Sequence, residues 1–379
     1  MNDHASHRFA ASVLLGVVVA ACGSAGPVTT SAPAARPTQT AALVTPTAVP
    51  ATPSAPASNA PPSVAPPSVA PPSDAVPAAA FVWAATSPTG DLTPNGIVQG
   101  PKGHLWVSDP YNHRFAIFTA DGAFVEFWGT PGDGDGQFKL TRRNGDGYGA
   151  IAFAPDGSFF VLDVGNHRVQ KFDSKRKFVK AWGSLGSGPG QYLDPVGIAV
   201  GPDGRVHVLD DERAVVESYD ANGKVLGSFG AFVGGAQRFD GANSVSLDAN
   251  GNFYVSTASP GLVQRFDPDG KPTLTYGAPG SGPGEFHEQA GFMSIDSAGR
   301  LFVTQGPQRG DQPGVLVFAP DGGYLTGWGP IGHSDGQLAF PVGVLVDARG
   351  DVYVGDRSSM PDAGPPGRIQ KFHGPSFAP

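Results

Sequence analysis

The clearest alternation of apolar and polar positions in the chain runs from Val196 to Gly230. Four short segments there carry β-branched or aromatic residues at every second position, and turn residues separate them. One turn contains Asp203-Gly204 and another contains Asn222-Gly223. Alternation between such turns predicts hairpins, and therefore a four-stranded antiparallel meander. A sheet of this size cannot bury both of its faces alone, so it needs neighbours of the same kind.

The same pattern occurs six times from about residue 80 onward. The glycine that closes the first turn recurs at spacings of 54, 47, 47, 48 and 51 residues. These glycines are Gly103, Gly157, Gly204, Gly251, Gly299 and Gly350. An aromatic-Gly pair ends the fourth segment of five repeats: Trp128-Gly129, Trp182-Gly183, Phe229-Gly230, Tyr276-Gly277 and Trp328-Gly329. This periodicity predicts an all-β, six-bladed β-propeller made of four-stranded antiparallel blades.

The sixth repeat has its third strand at Arg368–Phe372, and few residues follow that strand. The missing fourth strand is predicted at residues 80–83, just before the first inner strand, where Trp83 would take the place of the aromatic residue of the aromatic-Gly pair. An N-terminal strand in the last blade would close the ring and remove an open sheet edge.

The N-terminal part of the sequence has a different composition. Residues 1–21 combine a short polar lead with an apolar run from Phe9 to Val19, a pattern typical of a signal peptide. The segment that ends in Cys22 resembles the bacterial lipobox, so Cys22 is the predicted site of lipidation. Residues 22–78 are rich in Pro, Ala, Ser and Thr and are predicted to form a disordered linker before the propeller of residues 79–379. We therefore expect a protein of the bacterial cell envelope that faces away from the cytoplasm and reaches the membrane through a lipid anchor only.

The net charge and the cysteine content argue against several classes of function and of site. The formal net charge is −8, which argues against nucleic acid as a partner. Cys22 is the only cysteine, so the sequence offers no disulfide, no cysteine zinc site and no thiol nucleophile in the propeller. We expect a monomer whose stability comes from packing.

Two loops carry a motif that identifies the repeat. Residues 109–114 read DPYNHR, and residues 163–168 read DVGNHR. A strand that ends in Asp and is followed by Asn-His-Arg resembles the signature of the NHL-repeat family. This resemblance covers residues 80–379 and implies a six-bladed propeller used as a binding module. It does not fix the function, because the family also includes RNA or protein binders, sensor domains and the lyase half of peptide-amidating enzymes.

The candidate binding residues are expected on one face of the ring, here called the upper face. It holds the loops between second and third strands and the links between blades. The candidate residues are Asn95, His113, Arg142, Arg143, His167, Asn243, His287 and Arg309. Asn95 and Asn243 occupy equivalent positions in the first and fourth repeats, so we expect them to face each other across an open, weakly polar channel.

Two interpretations of these residues remain open. In the first, the aspartates of the motif cap their loops, Arg114 and Arg168 pair with nearby carboxylates, and the upper face binds a protein, peptide or glycan without catalysis or a cofactor. In the second, His113, His167 and His287 hold a metal for a lyase or hydrolase, with zinc or calcium as the cofactor. The irregular stretches 139–148, 306–313 and 358–366 are the loops in which specificity is expected.

Overall fold

The computed structural model describes residues 79–230, 239, 241–306, 312–357 and 366–376. The predictions for residues 1–78, Cys22 among them, lie outside this range, as do those for Arg309 and for most of the loops 306–313 and 358–366. No helix in the described part of the chain is long and apolar enough to cross a bilayer.

Alternating apolar residues form six four-stranded antiparallel sheets, as the repeats predict. Each of the first five blades follows chain order from its inner to its outer strand. Blade 1 consists of Ile97–Gln99, Leu105–Asp109, Arg114–Phe118 and Phe124–Trp128. Blade 2 consists of Ala150–Phe153, Phe159–Asp163, Arg168–Phe172 and Phe178–Trp182. Blade 3 consists of Pro195–Val200, Val206–Asp210, Val215–Tyr219 and Val225–Gly230.

The remaining blades repeat this order, except that the outer strand of blade 6 comes from the N-terminal side. Blade 4 consists of Ala242–Leu247, Phe253–Thr257, Leu262–Phe266 and Pro272–Tyr276. Blade 5 consists of Ala290–Ile295, Leu301–Gln305, Val315–Phe318 and Tyr324–Trp328. Blade 6 consists of Pro341–Val346, Asp351–Asp356, Arg368–His373 and Ala80–Ala85. Short 3₁₀ helices at Pro101–Gly103, Pro110–Asn112 and Val164–Asn166 and a parallel pair, Thr130–Pro131 with Gln137–Phe138, complete the regular structure.

The ring closes as the sequence predicts. Ala80–Ala85 pairs antiparallel with Arg368–His373, so strands from both ends of the propeller share one blade. The prediction for Trp83 is wrong by two residues: Ala85 faces Ile369 at the position that Trp182 occupies in blade 2. Side chains two apart in a strand point to the same side. The Trp83 ring therefore still covers the blade 1 turn at Gly122, as the Trp182 ring covers the blade 3 turn at Gly223.

Aromatic side chains join neighbouring blades. The rings of Trp128 in blade 1 and Phe172 in blade 2 are 5.0 Å apart, and those of Trp182 and Tyr219 are 5.9 Å apart. In four of the five pairs, the glycine after the aromatic residue leaves room for the next link; a Cβ on Gly183, whose φ is 109°, would lie 2.5 Å from the Tyr192 ring. These contacts confirm that the aromatic-Gly pairs are packing residues.

Ring closure predicts the effect of a deletion. Removal of residues 79–88 from the full chain exposes the edge of Arg368–His373 and takes away the Trp83 ring. We expect a fall in Tm of more than about 10 °C, or aggregation, because an uncovered strand is open to pairing with another chain. Differential scanning calorimetry measures this, with removal of residues 60–69 from the predicted linker as the control of equal length. An unchanged Tm after the first deletion would show that the strand does not stabilise the ring.

Candidate functional site

A buried carboxylate organises the motif loop of blade 2. Asp163 lies at the end of the second strand and is fully buried. Its carboxylate accepts hydrogen bonds from Arg168 Nε at 2.7 Å, from Asn166 Nδ2 at 2.9 Å and from Gln170 Nε2 at 3.0 Å. It also accepts the backbone N–H of Lys139 at 2.6 Å, which belongs to the link from blade 1. One side chain thus ties the loop of a blade to the link that enters it.

The same arrangement recurs wherever the aspartate is present. Asp109 accepts hydrogen bonds from Arg114 Nε at 2.8 Å and from the Thr93 backbone at 3.0 Å. Asp210 and Asp356 likewise accept backbone N–H groups of the links that enter blades 3 and 6. Burial raises the pKa of both Asp210 and Asp356. The predicted ion pairs of Arg114 and Arg168 are confirmed. The predicted capping is wrong, because neither Asp109 nor Asp163 caps its own loop through a side-chain to backbone hydrogen bond; both hold the backbone of the incoming link instead.

Thr257 and Gln305 occupy the position of the motif aspartate in blades 4 and 5. In blade 5, Gln305 Oε1 accepts the backbone N–H of His287 at 3.2 Å, and Gln305 Nε2 donates to the Pro313 carbonyl. In blade 4, the Thr257 hydroxyl donates to the Pro260 carbonyl at 2.6 Å. The motif residues therefore bind the scaffold in each case.

The three candidate histidines lie in separate parts of the upper face. His113 belongs to blade 1, and its Nδ1 accepts the backbone N–H of Leu140 at 3.1 Å. His167 belongs to blade 2, where burial lowers the pKa of its imidazole. His287 lies in the link into blade 5, with a buried Nδ1 that has no hydrogen-bond partner. Among the described residues, no group of three or more His, Cys, Asp or Glu side chains has a geometry that could hold a metal ion.

The two candidate arginines of the link between blades 1 and 2 differ in ion pairing and in exposure. Arg142 pairs with Asp194, with a distance of 2.7 Å from Nε to Oδ1, and lies 3.4 Å from Asp211. It fastens the link to blade 3, so its charge is already compensated. Arg143 is exposed. Of the two candidate binding residues, Arg142 is therefore held by the scaffold.

The two candidate asparagines are connected across the channel. Asn95 Nδ2 donates to the carbonyl of Gly147. The next residue, Tyr148, donates its hydroxyl to Asn243 Oδ1 at 3.1 Å, and Asn243 Nδ2 donates to the Ala290 carbonyl at 2.9 Å. The expectation of an open mouth is wrong, because the Tyr148 side chain spans from the second blade to the fourth.

Arg357, which follows the second strand of blade 6, is not among the residues predicted from the sequence. Its guanidinium carbon lies 5.6 Å from the centre of the Tyr111 ring and 5.7 Å from that of Phe340. Burial lowers the pKa of Arg357, while the nearby Tyr111, Tyr148 and Asp146 act in the opposite direction. We call the group of Asn95, Tyr111, Tyr148, Asn243 and Arg357 the axial mouth.

Below the axial mouth lies the central channel, with a cavity of about 300 Å³ between the inner strands. Its walls are mainly apolar, with Ser244, Ser246 and Ser294 among the few polar side chains. No Asp, Glu or His lines this cavity in the described part of the chain. As far as the structure describes it, the channel wall therefore has no side chain suited to general acid-base catalysis by a carboxylate or imidazole.

Comparisons with known proteins agree with the architecture. A family model described as NHL repeat matches residues 150–172. The structure resembles a streptogramin B lyase with a TM-score of 0.51 at 13% identity, covering 78% of this chain and 97% of that one. A virginiamycin B lyase from Staphylococcus aureus, solved with quinupristin, gives 0.51 at 13% identity, with coverages of 77% and 98%. A protein of unknown function from Bacteroides thetaiotaomicron gives 0.53 at 16% identity, with coverages of 76% and 70%.

At these identities the resemblance concerns the fold alone. No curated protein matches this chain. The lyase activity named for two of these structures is therefore a statement about those proteins.

The role of Asp163 predicts a large loss of stability on substitution. Asp163→Ala leaves the buried end of Arg168 and the Lys139 N–H without their acceptor. We expect the free energy of unfolding to fall by about 3 kcal/mol or more, measured by urea denaturation. The exposed Asp133 provides the control, and Asp133→Ala should change the value by less than about 0.5 kcal/mol. Equal effects of the two substitutions would contradict the scaffold role of the motif aspartate.

Proposed function

Because the chain is a six-bladed β-propeller that carries an NHL repeat, we propose that it is a non-catalytic binding module that takes a protein, peptide or glycan at the upper face. The module is held at the bacterial membrane by a lipid on Cys22, on the side away from the cytoplasm. The linker of residues 22–78 separates the propeller from the anchor. This proposal assigns the protein a role in binding or scaffolding within the cell envelope.

The proposal rests on a difference between the side chains of the upper face: some are bonded to the scaffold, whereas those of the axial mouth are not fully used by it. The motif aspartates, Arg114 and Arg168 are bonded to the scaffold, and Arg142 is paired. The axial mouth differs, because the Tyr111 side chain is 40% exposed and Arg357 forms no ion pair with a carboxylate among the described residues, its Nε lacking a hydrogen-bond partner. Aromatic and arginine side chains are the residue types that contribute most to binding at protein interfaces.

The alternative is a metal-dependent lyase or hydrolase that uses His113, His167 and His287. The separation of these histidines disfavours it, since a catalytic zinc site needs three protein ligands around one ion. Metal analysis of the purified full chain tests this alternative. Stoichiometric zinc that is lost in both His113→Ala and His167→Ala would replace the binding proposal by the catalytic one.

The position of the binding surface is tested with matched substitutions. Tyr111 and Leu226 have similar exposed fractions, 40% and 46%, but Leu226 lies on the outer strand of blade 3. In affinity capture from native envelope extracts, we expect Tyr111→Ala to lose the partner that the unaltered chain enriches, and Leu226→Ala to keep it. Capture that both variants retain would place binding away from the axial mouth. Capture of no specific partner by the unaltered chain would favour a structural spacer instead.

The anchor is tested by cell fractionation. The unaltered chain is expected in the membrane fraction, released by detergent and not by high salt, because the attachment is a lipid chain. Cys22→Ser removes the acceptor of the lipid, so this variant is expected in the soluble envelope or culture fraction. Ser24→Ala, two residues away, is the control and should remain with the membrane. Membrane attachment of Cys22→Ser would contradict the anchor.

A further inference from the structure

Arg357 differs from the other arginines that are at least partly buried in the described residues. Each of the others has an ion pair or a hydrogen bond through its side chain: Arg114, Arg142, Arg168, Arg176, Arg213, Arg265, Arg300 and Arg368. Arg357 has neither within that part of the chain, and its buried Nε lacks a hydrogen-bond partner. Buried polar groups are nearly always paired, so this exception requires an explanation.

The surroundings of Arg357 stabilise its charge only in part. The Tyr111 and Phe340 rings lie beside the guanidinium and supply cation–π attraction. Asp146 is near enough to favour the charged form, yet it is exposed and forms no ion pair with Arg357. The donors of the guanidinium therefore remain without an acceptor on the scaffold.

A second buried group without a partner borders the same site. Asn95 Oδ1 is a buried acceptor that receives no hydrogen bond, although its Nδ2 is bonded to Gly147. Gly147 packs against the Tyr111 ring, over which Arg357 lies, since a Cβ there would be 2.9 Å from that ring. Gly147 thus joins the Asn95 amide to the aromatic side chain that Arg357 also contacts.

We propose that Arg357 binds the carboxylate of a peptide at the axial mouth, while Asn95 Oδ1 accepts an N–H of the same ligand. This inference rests on the proposed binding function and names its ligand class. The planar guanidinium matches a carboxylate through two parallel hydrogen bonds. The exposed Tyr111 ring provides an apolar contact for a neighbouring side chain of the ligand.

The charges at the site favour a monoanion. Within the described residues, no second cation acts on Arg357, and Arg142 is already paired with Asp194. A phosphate dianion would leave one negative charge uncompensated beside Asp146.

The hydrogen bonds at the axial mouth favour a peptide over a glycan. Tyr148 and Asn243 bond to each other, and Gln289 Nε2 donates to the Gly306 carbonyl at 2.6 Å. In the part of the mouth that the structure describes, few groups therefore remain free for the many hydroxyls of a sugar.

A matched pair of probes tests the proposal on the full chain. N-acetylphenylalanine offers a carboxylate, an amide N–H and an aromatic ring, and N-acetylphenylalanine amide lacks only the charge. Isothermal titration calorimetry should show binding of the acid with a Kd of about 1 mM, and at least about tenfold weaker binding of the amide. Phenyl phosphate and glucuronate are titrated alongside. Preference for either of them over the acid, or no detectable binding of the acid at about ten times that Kd, overturns the proposal.

Two substitutions make the assignment specific. Arg357→Gln should remove the preference for the acid over the amide. Arg205→Gln, at an exposed arginine beside the first turn of blade 3, should keep it. We also expect Arg357→Gln to unfold at an equal or higher temperature, because it removes a cation that the scaffold does not pair. A lower Tm together with a retained preference would assign Arg357 to the scaffold and overturn the proposal.

The same measurements distinguish failure of the carboxylate assignment from failure of the proposed binding function. Equal binding of acid and amide, lost from both in Tyr111→Ala, would preserve a binding role for the axial mouth and reject the carboxylate. Failure of both probes together with partner capture that is insensitive to Tyr111→Ala would reject both.

Discussion

The propeller depends on one repeated interaction, a buried carboxylate that joins two loops. Asp109, Asp163, Asp210 and Asp356 each lie at the end of a second strand and accept backbone N–H groups from the link that enters the same blade. Each blade is a separate four-stranded sheet, so the link that enters it needs a fixed path across the upper face. The carboxylate provides it, because backbone donors that leave water must find acceptors. Where an arginine from the third strand completes the arrangement, the carboxylate is also neutralised.

This constraint decides where function can reside. A side chain that holds a link cannot also be released to hold a ligand without cost to the fold, which removes the motif Asp, Asn and Arg residues from the candidates. The clamp also fixes the position of the link between blades 1 and 2, through Lys139 and through the pair of Arg142 with Asp194. That link carries Tyr148, so the residues bonded to the scaffold and the side chain that crosses the channel belong to one segment. A binding site built from loops requires residues that are held in place by such bonds.

The sequence predicted the fold well, and the site only in part. Turn glycines and aromatic-Gly pairs depend on local chemistry that repeats, so strand number, blade order and ring closure could be read directly. Trp83 was misplaced because the strand alternates, and positions 83 and 85 both face blade 1. Tyr148 precedes an inner strand where the other repeats have Pro94, Pro195, Ala242, Ala290 and Pro341, and this difference in size was a signal. The contact between Tyr148 and Asn243 depends on the distance between them across the ring, and no local sequence pattern encodes that distance.

The surroundings of Arg357 also could not be predicted from a local sequence pattern, although an alignment of the six repeats distinguishes this residue. The residue after the second-strand Asp, or after its replacement, is Pro110, Val164, Asp211, Ala258 and Gly306 in the first five blades. Only blade 6 has an arginine there, and that blade also lacks the Asn-His-Arg loop. An arginine within the motif has its carboxylate five residues away, as Arg114 and Arg168 do, whereas Arg357 is adjacent to Asp356, whose side chain is directed into the clamp with Arg368. The arginines that follow the repeat pattern thus stabilise the ring, and the one that departs from it is left with unused donors at the axis.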